Sequence, residues 1–303
     1  MTMPDRREVI KGAATLPLIL GSTAILPDVA GAQSFPVRTM TIVVPFPPGG
    51  VADLAARLLA TFLAKRFGKN VVVENRPGAG GGVGHTYFKR AEPDGHSIMV
   101  TISSLAVIPE GNRRQGGAST YEVTDFAPLA RMFLELALIW VKADARWRNI
   151  EELFDEIKRN PGKISYASSG LLGPAHLAME MLLRAAGLQM LHIPYPGGAA
   201  TTTALLSGQT DVAPSVLSNF KGLFDSNEVR PLLQIGEKRM SNFPDIPTAI
   251  ELGYKDVIYT LWTGVFVPAK VSEDIQAILR ASIRDFMSNP ETLEAIRRTG
   301  TVD

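Results

Sequence analysis

Apolar positions in this chain switch repeatedly between short unbroken runs and stripes that recur every three or four residues. "MTIVVPF" (40–46) is a run of strand type, and Val51, Leu54, Ala55, Leu58, Leu59, Phe62 and Leu63 follow it at helical spacing, stopping near Gly68. "NVVVENRPG" (70–78) predicts a second strand. "GHSIMVTISS" (95–104) predicts a third after the turn "EPDG", with a short helix over 85–90 between them. The segment "EGNRRQGGASTYEVTD" (110–125) has neither spacing and reads as a surface loop. Beyond it come the strand "LELALIWVKA" (134–143), a helix over 150–160 opened by an Asn149/Glu152 capping box, the strand in "KISYASSG" (163–170), and a helix from Pro174 to a stop at Gly187. "MLHIPY" (190–195), "PLLQIG" (231–236) and "LWTGVFVPA" (261–269) are further strands. Ser272 is placed to cap a helix over 273–287 with Ile275, Ile278, Leu279 and Phe286 on one face, and Pro290 starts a last short one. Strand and helix in alternation predict an α/β fold with a largely parallel sheet covered by helices.

Two places in this layout share one grammar. In "VPFPPGGVAD" (44–53) a β-branched run meets prolines and glycines and turns at once into a helix; "HIPYPGGAATTTALLSGQTD" (192–211) repeats the pattern. Proline donates no backbone hydrogen bond and glycine has no Cβ, so a guest can approach the main chain closely there. The first amides of the following helix are unpaired and carry partial positive charge, which attracts anions. Ligands in open α/β sheets sit beyond the carboxyl ends of strands, so Phe46, Gly49, Gly50 and Asp53 are candidate binding residues, with Tyr195, Gly197 and Gly198 at a matching site in the second half. An ordinary strand-to-helix connection is the plain alternative for either turn. Asp53 has two readings: a carboxylate that stabilises the helix dipole, or one that orients a water or a loop amide. Two hydroxyl clusters at strand ends, 101–104 and 166–170, suit reversible carboxylate binding and equally suit turns or caps.

Composition narrows the chemistry. Among 303 residues, Lys and Arg number 31 against 30 Asp and Glu, with no basic run, so nucleic acid is not an expected partner. Cysteine is absent, which removes thiolate metal sites, disulfides and a Cys nucleophile. The four histidines show no metal-binding spacing, and His176 with Glu180 reads as a helix-surface pair. "RPGAGGGVGH" puts Val83 where a dinucleotide fingerprint needs glycine, and no serine sits in a nucleophile elbow. No nucleophile with a base in reach is visible, so no catalytic residue, metal or cofactor is expected. At the N-terminus, Arg6, Arg7 and Lys11 precede the apolar "AATLPLILGSTAIL" and then "AGA", which predicts a cleaved export signal over 1–32 and a periplasmic protein. "DRREVIK" resembles a twin-arginine signal and leaves both export routes open.

Taken together, "TIVVPFPPGGVADLAARLLA", "VVVENRPGAGG", "PDGHSIMV", "YASSG", "HIPYPGGAA" and "GQTDVAPS" resemble the Bug family, the extracytoplasmic solute receptors of tripartite tricarboxylate transporters. The resemblance implies a type 2 periplasmic binding protein with two Rossmann-like lobes and a hinge: one lobe of 34–137 plus 250–303, the other of 138–249. It implies a monomer that closes on a small organic acid and delivers it to a membrane permease; a carboxylate sensor, or a cofactor-free enzyme on the same fold, are the alternatives. By motif position it carries over the loop from Phe46 through Pro48 and Gly50 with Asp53, Ser103 and Ser104, Ser168, Ser169 and Gly170, Tyr195 to Gly198, and Asp211 and Ser215. Three departures stand out: Pro196 where relatives carry lysine, a longer loop around 111–119, and an end at Asp303 that reads as a shortened form.

Overall fold

In the computed structural model, which describes residues 35–300, the chain runs β1 (Met40–Val44), α1 (Val51–Phe67), β2 (Val71–Asn75), α2 (Gly82–Phe88), β3 (Ser97–Ile102), α3 (Ser104–Arg114) and β4 (Phe126–Lys142). A second series follows: α4 (Ile150–Arg159), β5 (Ser165–Ser168), α5 (Pro174–Ala186), β6 (Leu191–Pro194), α6 (Gly198–Leu206), β7 (Ala213–Val216), α7 (Leu217–Asp225) and β8 (Val229–Ile235). The chain then returns through β9 (Thr260–Pro268), α8 (Glu273–Ser288) and α9 (Pro290–Thr299). The export signal expected over 1–32 lies outside the described residues.

The main sheet has the order β2-β1-β3-β9-β4-β7, with β8 also paired to β4; β5 and β6 form a separate parallel pair. Only β2, β1 and β3 are parallel neighbours in the main sheet, so the largely parallel sheet expected from the alternation is in fact mixed. The cause is the returning strand β9, which inserts antiparallel between β3 and β4. β4 is also longer than expected, 17 residues beginning at Phe126 rather than at Leu134. From Phe126 to Leu136 it pairs with β9, and from Ala137 to Lys142 with β7 and β8, so one strand runs through both halves. Its first half reads poorly in sequence because bulges near Leu129 and Met132 break the two-residue alternation.

Each half has its own core. Ile42, Val44, Ala55, Leu59, Leu63 and Phe286 pack around α1 and α8, while Ile139, Val141, Ile150, Leu153, Ile157 and Leu182 pack under α4 and α5. Leu59 is fully buried, and its truncation to alanine would cost about 3 kcal/mol. A third cluster centres on Trp140, which stacks on Phe220 at 5.1 Å.

Local differences from the sequence reading have local causes. The loop expected from Glu110 is helical to Arg114, because Pro109 sits inside α3 rather than ending it. Proline cannot donate to the Leu105 carbonyl one turn back; the Tyr121 hydroxyl takes that carbonyl instead, at 3.2 Å. Ser272 holds the cap position of α8 but makes no side-chain cap bond, and Ile278 is exposed. The buried face of that helix is Gln276, Leu279, Ile283 and Phe286. Asn149 does cap α4, accepting from the Glu152 amide at 2.9 Å, while the Glu152 carboxylate reaches back to the Arg148 amide. Neither β7 nor α7 stood out in the sequence, since no glycine or proline marks the change from one to the other.

Candidate functional site

At the end of β1, Pro45, Pro47 and Pro48 offer no donors, and Gly49 takes φ +87° to swing the chain into α1. Gly50 then precedes the helix in extended conformation with no side chain capping the first turn. At the end of β6, the Tyr195 amide is held by the Ser168 carbonyl at 2.8 Å, and Gly197 takes φ +148°, open essentially only to glycine, to start α6, again without a side-chain cap. Both helix origins border a single cavity of about 220 Å³. Phe46, Pro48, Gly50 and Val51 line it from the first junction, Gly197 and Gly198 from the second.

Between the two origins the walls are apolar: Ile102, Ala137, Pro214, Val216 and Leu261. Side-chain polarity comes from Ser169, Thr201, Ser215, Asn219 and Tyr259; no lining residue carries a charge. The starts of α5 (Pro174, Ala175) and α7 (Val216) also border it, so an anion there would be met by main-chain amides and the positive ends of several helix dipoles rather than by Lys or Arg.

Asp53 supports this arrangement from behind and does not line the cavity. It is 2% exposed, accepts the Gly49 amide at 3.0 Å and Asn75 Nδ2 at 2.9 Å, and receives Arg57 at 2.8 and 3.0 Å. Burial alone would raise its pKa, but the hydrogen bonds from Arg57, Gly49 and Asn75 outweigh it and hold the carboxyl below its ordinary value. Asn75 also donates to the Phe46 carbonyl, so one carboxylate ties strand end, loop and helix together. Both readings of Asp53 fit the geometry: it stands in the first turn of α1, where it stabilises the helix dipole, and it orients the Gly49 amide. Its charge is neutralised by Arg57 and so does not repel an anionic guest.

The remaining candidates divide. Ser169 and Ser215 join Phe46, Pro48, Gly50, Gly197 and Gly198 around the cavity. Gly170 and Tyr195 border a second, more open space of about 640 Å³, which shares Phe46, Pro47, Ser169 and Pro196 with the first. Gly49 is exposed on the loop. Ser103, Ser104, Ser168 and Asp211, also carried over by motif position, border neither space. The Ser103 hydroxyl meets the Tyr259 hydroxyl at 3.0 Å and so positions a lining residue, while Ser104 is buried without a side-chain partner. Asp211 accepts the amide and hydroxyl of Ser165 at 2.8 and 2.7 Å, at the opposite end of β5 from the junctions.

Ser168 is the more instructive case. Its Oγ lies 2.6 Å from His192 Nε2, a nucleophile–base pair that no sequence motif announces. The serine is fully buried, however, and is also engaged with the amide and carbonyl of Gly170. His192 stacks on His176 at 4.3 Å, whose Nδ1 accepts the Leu172 amide at 3.2 Å. The cluster braces the 168–173 turn from within. In the other half, burial lowers His85 to about 3, keeping it neutral behind Phe46 while its Nε2 meets Thr101 at 2.7 Å.

Glycines let the two halves touch. A Cβ on Gly197 would come within 3.0 Å of Pro47 Cδ, and one on Gly170 within 3.4 Å of Gly80 Cα. The run "AGGG" therefore serves as a close-approach turn. Sequence reasoning missed Thr201, Asn219, Tyr259 and Leu261. Asn219 belongs to the unannounced α7, and Tyr259 precedes β9 with no motif around it. Among the described residues, no helix is long and apolar enough to cross a membrane, and no group of three or more His, Asp or Glu could hold a metal ion.

Known proteins resemble this chain over most of its length. The family described as "Tripartite tricarboxylate transporter family receptor" matches residues 55–302. The UPF0065 protein in the tcbD-tcbE intergenic region of Pseudomonas sp. is 31% identical, covering 97% of this chain and 86% of that one. BugT of Bordetella pertussis is 29% identical, covering 92% and 85%. Among solved structures, the periplasmic binding protein BugD superposes with a TM-score of 0.81 at 32% identity, covering 88% of each chain. An R. palustris protein solved with adipate gives 0.82 at 26%, covering 88% and 89%. MatC from Rhodopseudomonas palustris with bound malate gives 0.80 at 26%, covering 88% and 90%.

Proposed function

The chain belongs to the tripartite tricarboxylate transporter receptor family, a family of solute-binding receptors, and from that premise we propose that it captures a small organic acid in the cavity between α1 and α6 and hands it to a membrane permease. The observation that carries the reading is the meeting of two uncapped helix origins at one charge-free cavity. Main-chain amides hold a carboxylate firmly enough to capture it and release it more readily than a buried arginine would. Relatives of the same fold solved with adipate and with malate support a carboxylate as the ligand.

In this reading residues 34–137 with 250–303 and residues 138–249 are lobes that close on the acid, and β4, which changes partners at Leu136 and Ala137, is a crossing segment of the hinge. Phe46, Pro48, Gly50, Ser169, Gly197, Gly198 and Ser215 contact the ligand, together with Thr201, Asn219 and Tyr259. Residues 1–32 direct export to the periplasm, by the twin-arginine or the general route, and the protein acts as a monomer. It is not an enzyme: the Ser168–His192 pair is sealed from both cavities and serves the fold.

A thermal-shift series with succinate, glutarate, adipate, benzoate, malate and citrate tests the proposal. A bound acid raises stability by about 2.7 kcal/mol at a hundredfold excess over Kd. No shift with any member of a wide acid panel would refute it.

A further inference from the structure

The cavity's walls say more about the acid than its ends do. Most of the polar side chains are already engaged within the protein. The Thr201 hydroxyl donates to the Gly198 carbonyl at 2.6 Å, Asn219 Nδ2 donates to Ser215 Oγ at 3.1 Å, and the Tyr259 hydroxyl pairs with Ser103 at 3.0 Å. Ser169, the Ser215 proton and the Asn219 carbonyl oxygen keep free hydrogen-bonding capacity. What remains between the two helix origins is hydrocarbon from Ile102, Ala137, Pro214, Val216 and Leu261.

Charge sets a second limit. The first residues of α5 (Pro174, Ala175) and the residue before α7 (Val216) also line the cavity, so four helix origins, each equivalent to about half a positive charge, together offset roughly two negative charges, and no lining side chain adds another. A third carboxylate would enter without compensation. A hydroxyl on the ligand's body that does not reach Ser169, Ser215 or Asn219 would face apolar carbon and lose its water without gaining a partner, which weakens binding about tenfold or more.

Resting on the receptor reading above, we infer that this chain takes acids with a hydrocarbon body, carrying one or two carboxylates, in preference to hydroxylated acids and tricarboxylates. The selectivity lies in the walls and not in the anion-holding turns, since amide-lined turns treat all carboxylates alike.

Calorimetry with the purified protein on matched pairs decides the matter. Succinate should bind at least tenfold tighter than malate, glutarate tighter than 2-hydroxyglutarate by a similar factor, and citrate more weakly than any of the dicarboxylates that bind. Malate or citrate equalling succinate would overturn this inference and leave the receptor reading standing; silence from every acid would remove both. Val216→Thr and Leu261→Thr each place a hydroxyl in the wall. If the walls discriminate, at least one should narrow the succinate-to-malate ratio severalfold while the melting temperature confirms an intact fold. A ratio unmoved in both folded variants would remove the wall as its cause.

Discussion

The two strand-to-helix junctions are written in nearly the same letters and are stabilised by different means. At 44–53 a buried carboxylate gathers the loop: Asp53 holds Gly49, Asn75 and Arg57 at once, and the glycines themselves have open space around them. At 194–201 no charge takes part. Gly198 packs where a Cβ would lie 2.9 Å from Asn219 Nδ2, Gly197 abuts Pro47, and the threonines of α6 return their hydroxyls to the Gly198 carbonyl. The first turn is organised electrostatically and from within its own half. The second is organised sterically, by contacts with α7 and with the opposite junction, so its geometry depends on closure.

If that contrast is right, the largest effect comes from Gly197→Ala. The new methyl meets a backbone conformation reserved for glycine and the Pro47 ring together, and ligand affinity should fall about a hundredfold, close to 3 kcal/mol. Gly50→Ala, in an ordinary conformation with no protein atom within 4 Å, should keep the fold's stability within about 0.5 kcal/mol, whereas Gly197→Ala should lower it. Calorimetry on the pair measures the asymmetry directly.

The next effect concerns α7, on which the second junction rests. Glu135 of β4 is 5% exposed and lies beside Ser218 in the first turn of that helix. Both carboxylate oxygens are shut off from water without a well-formed hydrogen bond. Burial pushes its pKa up to about 7, with Ser218 only partly offsetting it. Below about pH 4.5 the group is protonated whether or not the chain is folded. Between there and pH 7 only the folded form keeps the proton, so stability falls as pH rises through that window and the cost is complete above it. Glu135→Gln should therefore be roughly 3 kcal/mol more stable than the parent at pH 8 and equal to it at pH 4, read from urea unfolding.

Asp53→Ala comes third. It strands the Gly49 amide and Asn75, while Arg57, half exposed, swings into water, so the loss is about 2 kcal/mol rather than that of a fully buried pair. The sign with pH is opposite to that of Glu135. A depressed carboxyl stabilises fully above its unfolded value of 3.8, and that contribution is lost as pH falls through the folded value. The smallest effect is Gly49→Ala. Its φ of +87° costs about 1 kcal/mol, with no clash to add, and a urea midpoint shift larger than that of Asp53→Ala would invert the proposed division of labour.

Both junctions were legible in the sequence because proline and glycine announce themselves, and the helices after them because their stripes are regular. The sheet order was less so: β9 contributes nothing local to say that it returns to the middle of the first half, and β4 hides half its length behind bulges. At the site, side chains chosen by motif position divided according to which way the strand end turned them. Ser169 faces the cavity and Ser168 its histidine, a difference of one residue that only the backbone decides. Asn219 and Tyr259 carried no signal because their importance comes from where α7 and the β9 approach arrive, not from their neighbours in sequence.

The position of β9 has a consequence for how the chain acquires its shape. It is the strand between β3 and β4, yet it is synthesised only after the whole of the second half. Until residue 268 has emerged, the first half is an arch without its keystone, with β3 and β4 each showing an unsatisfied edge, whereas β4 to β8 can already assemble from contiguous chain. The order of manufacture thus favours the inserted half as the first to set, and leaves the segment bearing the Asp53-anchored turn pliable until β9 has emerged.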